Sequence, residues 1–158
     1  MVREIANDAT EKKVIDDIAT FGWHCVSVLA KEGLTGFSFT VGNYHSYEQP
    51  EFIIFGLNSN VAHQLLHLAV TGVNDGAIVD LSVPTEELLN GYPCMFVKVP
   101  ETEYHEHVGF ARWYYEGNAF PLYQIVWPSK EGHFLWDTEA SKAFRAAQPV
   151  LADSGTAA

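Results

Sequence analysis

The seven histidines and two cysteines of this 158-residue sequence are the side chains best suited to holding a metal or moving a proton. His63 and His67 stand in the run H-Q-L-L-H. On a helix, positions i and i+4 share one face a turn apart, so two imidazoles there can bridge one metal ion. The zinc-protease version of this spacing needs a glutamate directly after the first histidine as general base, and Gln64 occupies that place. The favoured reading puts both rings on the flank of a buried helix, hydrogen-bonded or partly wet, and expects no metal. Ligation by His63 and His67 is the minor alternative. In a second run, Y-H-E-H, His105 and His107 would point about 200° apart on a helix and would not chelate together. A three-ligand site would require one of them to meet His63 and His67 in space.

The sequence contains no G-x-S-x-G nucleophile elbow, no phosphate-binding P-loop and no G-x-G-x-x-G fingerprint. Cys25 follows His24, but neighbours on a strand face opposite sides, so they form no dyad. Cys94 has no nearby cation to favour its thiolate, and both cysteines read as small core residues. A binding site is easier to find. Asn43, Tyr44, His45 and Tyr47 sit in a polar, aromatic stretch from Gly42 to Glu51, the mixture a binding loop carries on a rigid scaffold. Arg112, Trp113, Tyr114, Tyr115, Tyr123, Gln124, Trp127 and Trp136 match it in composition, and aromatic walls with a few polar groups are the usual form of a small-molecule site. Arg112, a cation among aromatics, can stack or grip an anion.

These residues need a scaffold, and the pattern predicts one. A helix over 10–20 starts from a capping box of Asp8 and Glu11. Strands follow at W-H-C-V-S-V-L-A and F-S-F-T-V-G, the second alternating strictly, and their spacing suits an antiparallel hairpin. F-I-I-F-G-L is apolar on both faces, as a central strand should be. The helix expected over 60–73 carries the broadest apolar face. Beyond it the reading predicts a strand A-I-V-D-L, a helical turn P-T-E-E-L-L-N, a strand Y-P-C-M-F-V-K-V, a helix capped by Thr102, a strand P-L-Y-Q-I-V-W and a helix after Asp137. Strands cluster early and helices come later. The expected fold is α+β, a mainly antiparallel sheet with barrel-like closure as an option and three to four packed helices, forming a single domain over 1–151 with a frayed tail at 152–158.

Composition limits the partners. Twenty acidic against nine basic residues give a net charge of -11, and the cations are scattered. Binding phosphates needs clustered cations, so neither nucleic acid nor an anionic membrane is an expected partner; a small molecule or a protein is. The N-terminal M-V-R-E-I-A-N-D lacks the apolar stretch of a signal peptide, and the expected location is the cytoplasm.

G-W-H-C-V-S-V, G-F-S-F-T-V-G, P-E-F-I-I-F-G-L with A-H-Q-L-L, G-F-A-R-W-Y-Y, P-L-Y-Q-I-V-W-P and G-H-F-L-W together resemble a bacterial family, number 4262 in the domain-of-unknown-function series, from about Phe21 to Leu151. The resemblance brings no activity. It points to Thr40, Gly42, His63, Arg112, Gln124 and Trp127, and its pattern has an asparagine where His67 stands, which counts against a metal held by the pair. A weaker likeness is to flavin-reductase-like split barrels, which would give Ser38, Thr40 and Asn43 to a flavin phosphate with Arg112 as its clamp. The reading that results is a binding or protein-interaction module with an aromatic cleft and no expected cofactor. Its ligand-binding residues would be Thr40, Asn43, Tyr44, His45, Arg112, Gln124 and Trp127. The alternative is a flavin-binding or metal-dependent enzyme or carrier, and the sequence leaves open whether the chain catalyses at all.

Overall fold

The computed structural model describes residues 2–152; the rest of the tail expected to fray lies outside the described residues. The chain runs through α1 (Ala9–Phe21), β1 (His24–Val28), β2 (Phe37–Val41), α2 (Asn43–Tyr47), β3 (Glu51–Phe55), α3 (Ser59–Asp75), β4 (Thr85–Leu89), β5 (Tyr92–Lys98), a 3-10 turn (Glu101–Glu103), α4 (Tyr104–His107), α5 (Gly109–Tyr115), β6 (Leu122–Val126) and α6 (Lys142–Ala147). The fold is α+β. The six strands form one sheet in the order β1-β2-β3-β6-β5-β4. The sheet is open, with β1 and β4 at its edges, so the barrel option is not realised. All neighbours pair antiparallel except β3 and β6, which run parallel from Glu51 opposite Leu122. Six α-helices are present among the described residues rather than three to four; α2, α4 and α6 are only five, four and six residues long.

Strand alternation sends side chains to two cores. Phe39, Val41, Ile53, Phe55 and Leu122 pack with Val14 and Ile18 of α1, Tyr104 of α4, Ala111 of α5 and Val108 between those two helices. Phe52, Ile54, Cys94, Phe96 and Ile125 pack with Ala62, Leu65, Leu66 and Ala69 of α3. The strand expected to be central is β3, every residue of which is buried. The β1–β2 hairpin is antiparallel, with Val26 opposite Phe39. Asp8 caps α1 by accepting from the Glu11 N–H at 2.7 Å, and the Glu11 carboxylate accepts from the Asn7 N–H at 2.8 Å. The reciprocal bond of the box thus falls one residue upstream of the cap itself.

Four elements differ from expectation. The stretch after β2, read as a loop, holds α2, and the helix expected to be capped by Thr102 is the 3-10 turn followed by α4 and α5, none of them with a side-chain cap. A-I-V-D-L forms no strand: the Asp75 and Asp80 carboxylates accept from the backbone N–H groups two residues on, at 2.9 Å each, and bend the chain. Ile78 is instead buried against Gly72 of α3. P-T-E-E-L-L-N, expected as a helical turn, contains β4. Asn90-Gly91, with Gly91 at φ +81°, is a hairpin turn bringing Leu89 opposite Tyr92, not a helix end.

Candidate functional site

Glu51 is a carboxylate buried where β2, β3, α2 and α5 meet. It opens a strand whose other residues are apolar, and it is fully buried. A charge in that position must be bonded on both oxygens. Thr40 on β2 donates its hydroxyl to Glu51 Oε1 at 2.7 Å while accepting the Phe52 N–H at 3.0 Å. The chain then turns through Gly42 at φ +105°, where a Cβ would lie 2.7 Å from Ile18, so only glycine fits. This turn aims the first N–H groups of α2 at the carboxylate: Asn43 N–H donates to Oε1 at 3.2 Å and Tyr44 N–H to Oε2 at 2.9 Å. From α5, the Tyr115 hydroxyl donates to Oε2 at 2.5 Å and accepts the His45 N–H at 3.1 Å.

All four partners of Glu51 are donors, which matches an ionised, acceptor-only carboxylate. Burial works the other way and pushes its pKa up from 4.5 to about 7, although Tyr115, the Tyr44 N–H, Thr40 and the Asn43 N–H pull it back. The Tyr115 hydroxyl is pushed well above the ordinary tyrosine value, by burial first and then by the Glu51 charge. The arrangement is a fully buried acid, its pKa raised by burial, bonded to the hydroxyl of a tyrosine.

Tyr115 also lines a cleft of 790 Å3 between the N-terminal residues Val2–Ile5, α2 and the end of α5. Tyr44 and His45 line it too, and the Tyr44 ring meets Tyr115 edge-on at 6.2 Å. Its charged lining consists of Arg3, Glu4, Glu48 and Glu116. Arg3 is tied back: its Nε donates to the Trp113 carbonyl at 3.1 Å, its guanidinium lies 5.9 Å over the Trp113 ring, and its Nη1 lies 3.9 Å from Glu116 Oε1. Glu48 and Glu116, at φ +57° and +56°, are the non-glycine residues with left-handed backbone among those described.

The family model for a domain of unknown function, DUF4262, matches residues 17–141. The chain belongs to this family. No curated protein and no solved structure matches it. The match takes in Thr40, Asn43, Glu51 and Tyr115 but not Val2–Ile5, so the DUF4262 segment supplies the buried acid and one wall of the cleft while residues outside it supply another.

Of the residues singled out by sequence, Thr40, Asn43, Tyr44 and His45 converge on Glu51 and Tyr115. The other three are engaged elsewhere. Arg112 Nε donates to Asn118 Oδ1 at 2.7 Å and Nη1 to His105 Nδ1 at 3.0 Å, closing the turn after α5. Gln124, fully buried, donates to the Pro149 carbonyl at 2.7 Å and accepts the Leu151 N–H at 2.9 Å. Trp127 donates Nε1–H to the Phe55 carbonyl at 2.8 Å, and its backbone is bracketed by Gln148. Gln124 and Trp127 thus fasten the C-terminal residues across the sheet. Ser38, Thr40 and Asn43, which the split-barrel likeness would give to a phosphate, are buried and bonded to Ser27, Glu51 and the Pro50 carbonyl. His107 lies edge-on to Phe37 and Phe55 in the α1-side core, whereas α3 packs on the other, so the histidines of the two runs do not meet.

Sequence reasoning names Tyr115 only among the site's aromatic residues and Glu51 only as the end of the loop, and joins neither to the other. The available signal is a carboxylate at the head of a strand apolar on both faces, where burial is expected. Tyr115 lies on the buried side of a predicted helix and reads as core. Nothing in the spacing links positions 64 residues apart.

Proposed function

We propose that this DUF4262 chain is a binding domain that takes a small organic cation in the cleft over Glu51 and Tyr115. The observation that carries the reading is the pair Glu48 and Glu116. Each caps the C-terminal end of a short helix in a left-handed conformation that costs a non-glycine residue roughly 1–2 kcal/mol and that glycine adopts freely. Both are carboxylates on the same cleft. With Glu4 they outnumber Arg3, which is held on the Trp113 carbonyl and lies 3.9 Å from Glu116. Tyr44 and Tyr115 offer aromatic surface, and a cation against such rings gains about 0.5–2 kcal/mol.

A metal ion suits this cleft less well. Among the described residues, the group of three ligand side chains close enough to share an ion is Glu103, Glu106 and His107, none of which lines the cleft. Carboxylates spread around aromatic walls fit a cation with an apolar body. The test uses benzyltrimethylammonium, benzyl alcohol and benzoate, which keep the ring and change the charge. Backbone amide shifts of Tyr44, His45, Glu48 and Glu116 should respond in the order cation, neutral, anion. E48Q/E116Q should weaken only the cation's effect. Equal responses to the three probes, or none at millimolar concentration, would refute the proposal.

A further inference from the structure

A second groove, of 670 Å3, lies between α1, β1 and α3 and gathers Trp23, His24, His63 and His67. α3 is a firm support for it. Asn58 caps the helix by accepting the Val61 N–H at 2.9 Å, and Ala62, Leu65, Leu66 and Ala69 fix one face in the core. His63 and His67 stand on the exposed flank of this 17-residue helix, four residues apart. That spacing brings the Cβ atoms to about 5–6 Å, within reach of one bridging ion.

The Trp23 ring lies against both imidazoles, with centroids 5.7 Å from His63 and 6.4 Å from His67. An indole face competes for no imidazole lone pair. Other histidines have one ring nitrogen engaged: His24 Nδ1 with Asp17 at 2.7 Å, His105 Nδ1 with Arg112 at 3.0 Å and His107 Nδ1 with the Glu103 carbonyl at 3.0 Å. His63 and His67 therefore combine chelating spacing, exposure and a neighbouring aromatic surface that restrains both rings.

We infer that His63 and His67 form a two-imidazole site for a divalent cation of the copper, nickel and zinc group. Imidazole nitrogen is a ligand these metals favour, and the order of affinity is copper above nickel and zinc. The negative charge of the chain adds a general attraction for cations. Two protein ligands leave the remaining coordination positions to water or to an oxygen or nitrogen of a bound molecule. The site is independent of the organic-cation cleft, since no residue lines both.

The experiment is calorimetric titration of the full chain with Ni2+ and with Cu2+ at about pH 7.5, with tryptophan fluorescence followed in parallel. One saturable site is expected, with Ni2+ dissociating at roughly 10 µM and Cu2+ held more tightly. H63A and H67A should each weaken binding about tenfold or more, and both should fold, because alanine is favourable at exposed helical positions. W23F should keep the calorimetric binding and lose most of the fluorescence quenching. The inference is overturned if no saturable binding occurs up to about 1 mM Ni2+. It is equally overturned if H63A/H67A binds as the parent does while E103Q/E106Q does not, which would put the ion on Glu103, Glu106 and His107.

Discussion

Replacing Glu51 by glutamine should change the pH dependence of stability in a way that isolates one buried proton. Burial raises the Glu51 carboxyl from 4.5 to about 7. The folded protein then holds this proton more tightly than the unfolded chain does. Below pH 4.5 both states are protonated and the contribution to stability is fully present; it is lost as pH rises through about 7, where the folded carboxyl must ionise in a fully buried site. The difference between the two values corresponds to about 3 kcal/mol. The amide of E51Q cannot titrate, so the variant lacks this loss. That amide also places a donor among four donors, which costs about 1–3 kcal/mol at every pH. The offset and the slope are therefore separable. Urea unfolding of both proteins, followed by tryptophan fluorescence at intervals from about pH 4.5 to 8, gives the difference directly, because other titrating groups cancel. Relative to the parent, E51Q should gain about 3 kcal/mol across that range, most of it between roughly pH 5 and 7. A difference that stays flat, or that moves the other way, would show that the four donors outweigh burial and would refute the reasoning.

Glu48→Gly and Glu116→Gly should each raise unfolding free energy by about 1 kcal/mol, by relieving left-handed backbone, while weakening capture of benzyltrimethylammonium in the amide-shift assay. Gln124→Ala removes both bonds to the 149–151 segment and leaves a cavity, so it should cost about 2–4 kcal/mol in urea unfolding and speed hydrogen exchange at Leu151. Burial pushes the Cys25 thiol up to about 11 and Cys94 up to about 12. A disulfide reagent at about pH 8 should therefore label both slowly in the folded protein and quickly in urea, Cys94 the slower of the two.

Local pattern is enough for much of the scaffold. Strict alternation at Phe37, Phe39 and Val41 identifies β2, the doubly apolar run after Pro50 identifies β3, and the broad face of Ala62, Leu65, Leu66 and Ala69 identifies α3, because burial imposes a period of two on strands and 3.6 on helices. Where two local signals compete, pattern alone misleads: Asn90-Gly91 can end a helix or turn a hairpin, and pairing with β5 selects the hairpin. The open edges and the parallel β3–β6 pair depend on contacts between distant segments, and no residue along the chain encodes which strand lies beside which. The site divides in the same way. The loop from Gly42 to Glu51 can be identified as a place of interest from its residue types alone. Its buried acid cannot, because a glutamate at position 51 becomes a proton-holding group only when α5 brings the Tyr115 hydroxyl to it and the sheet takes it out of water. Sequence supplied the ionisable group; tertiary structure supplied the desolvation and the four donors that set its proton affinity.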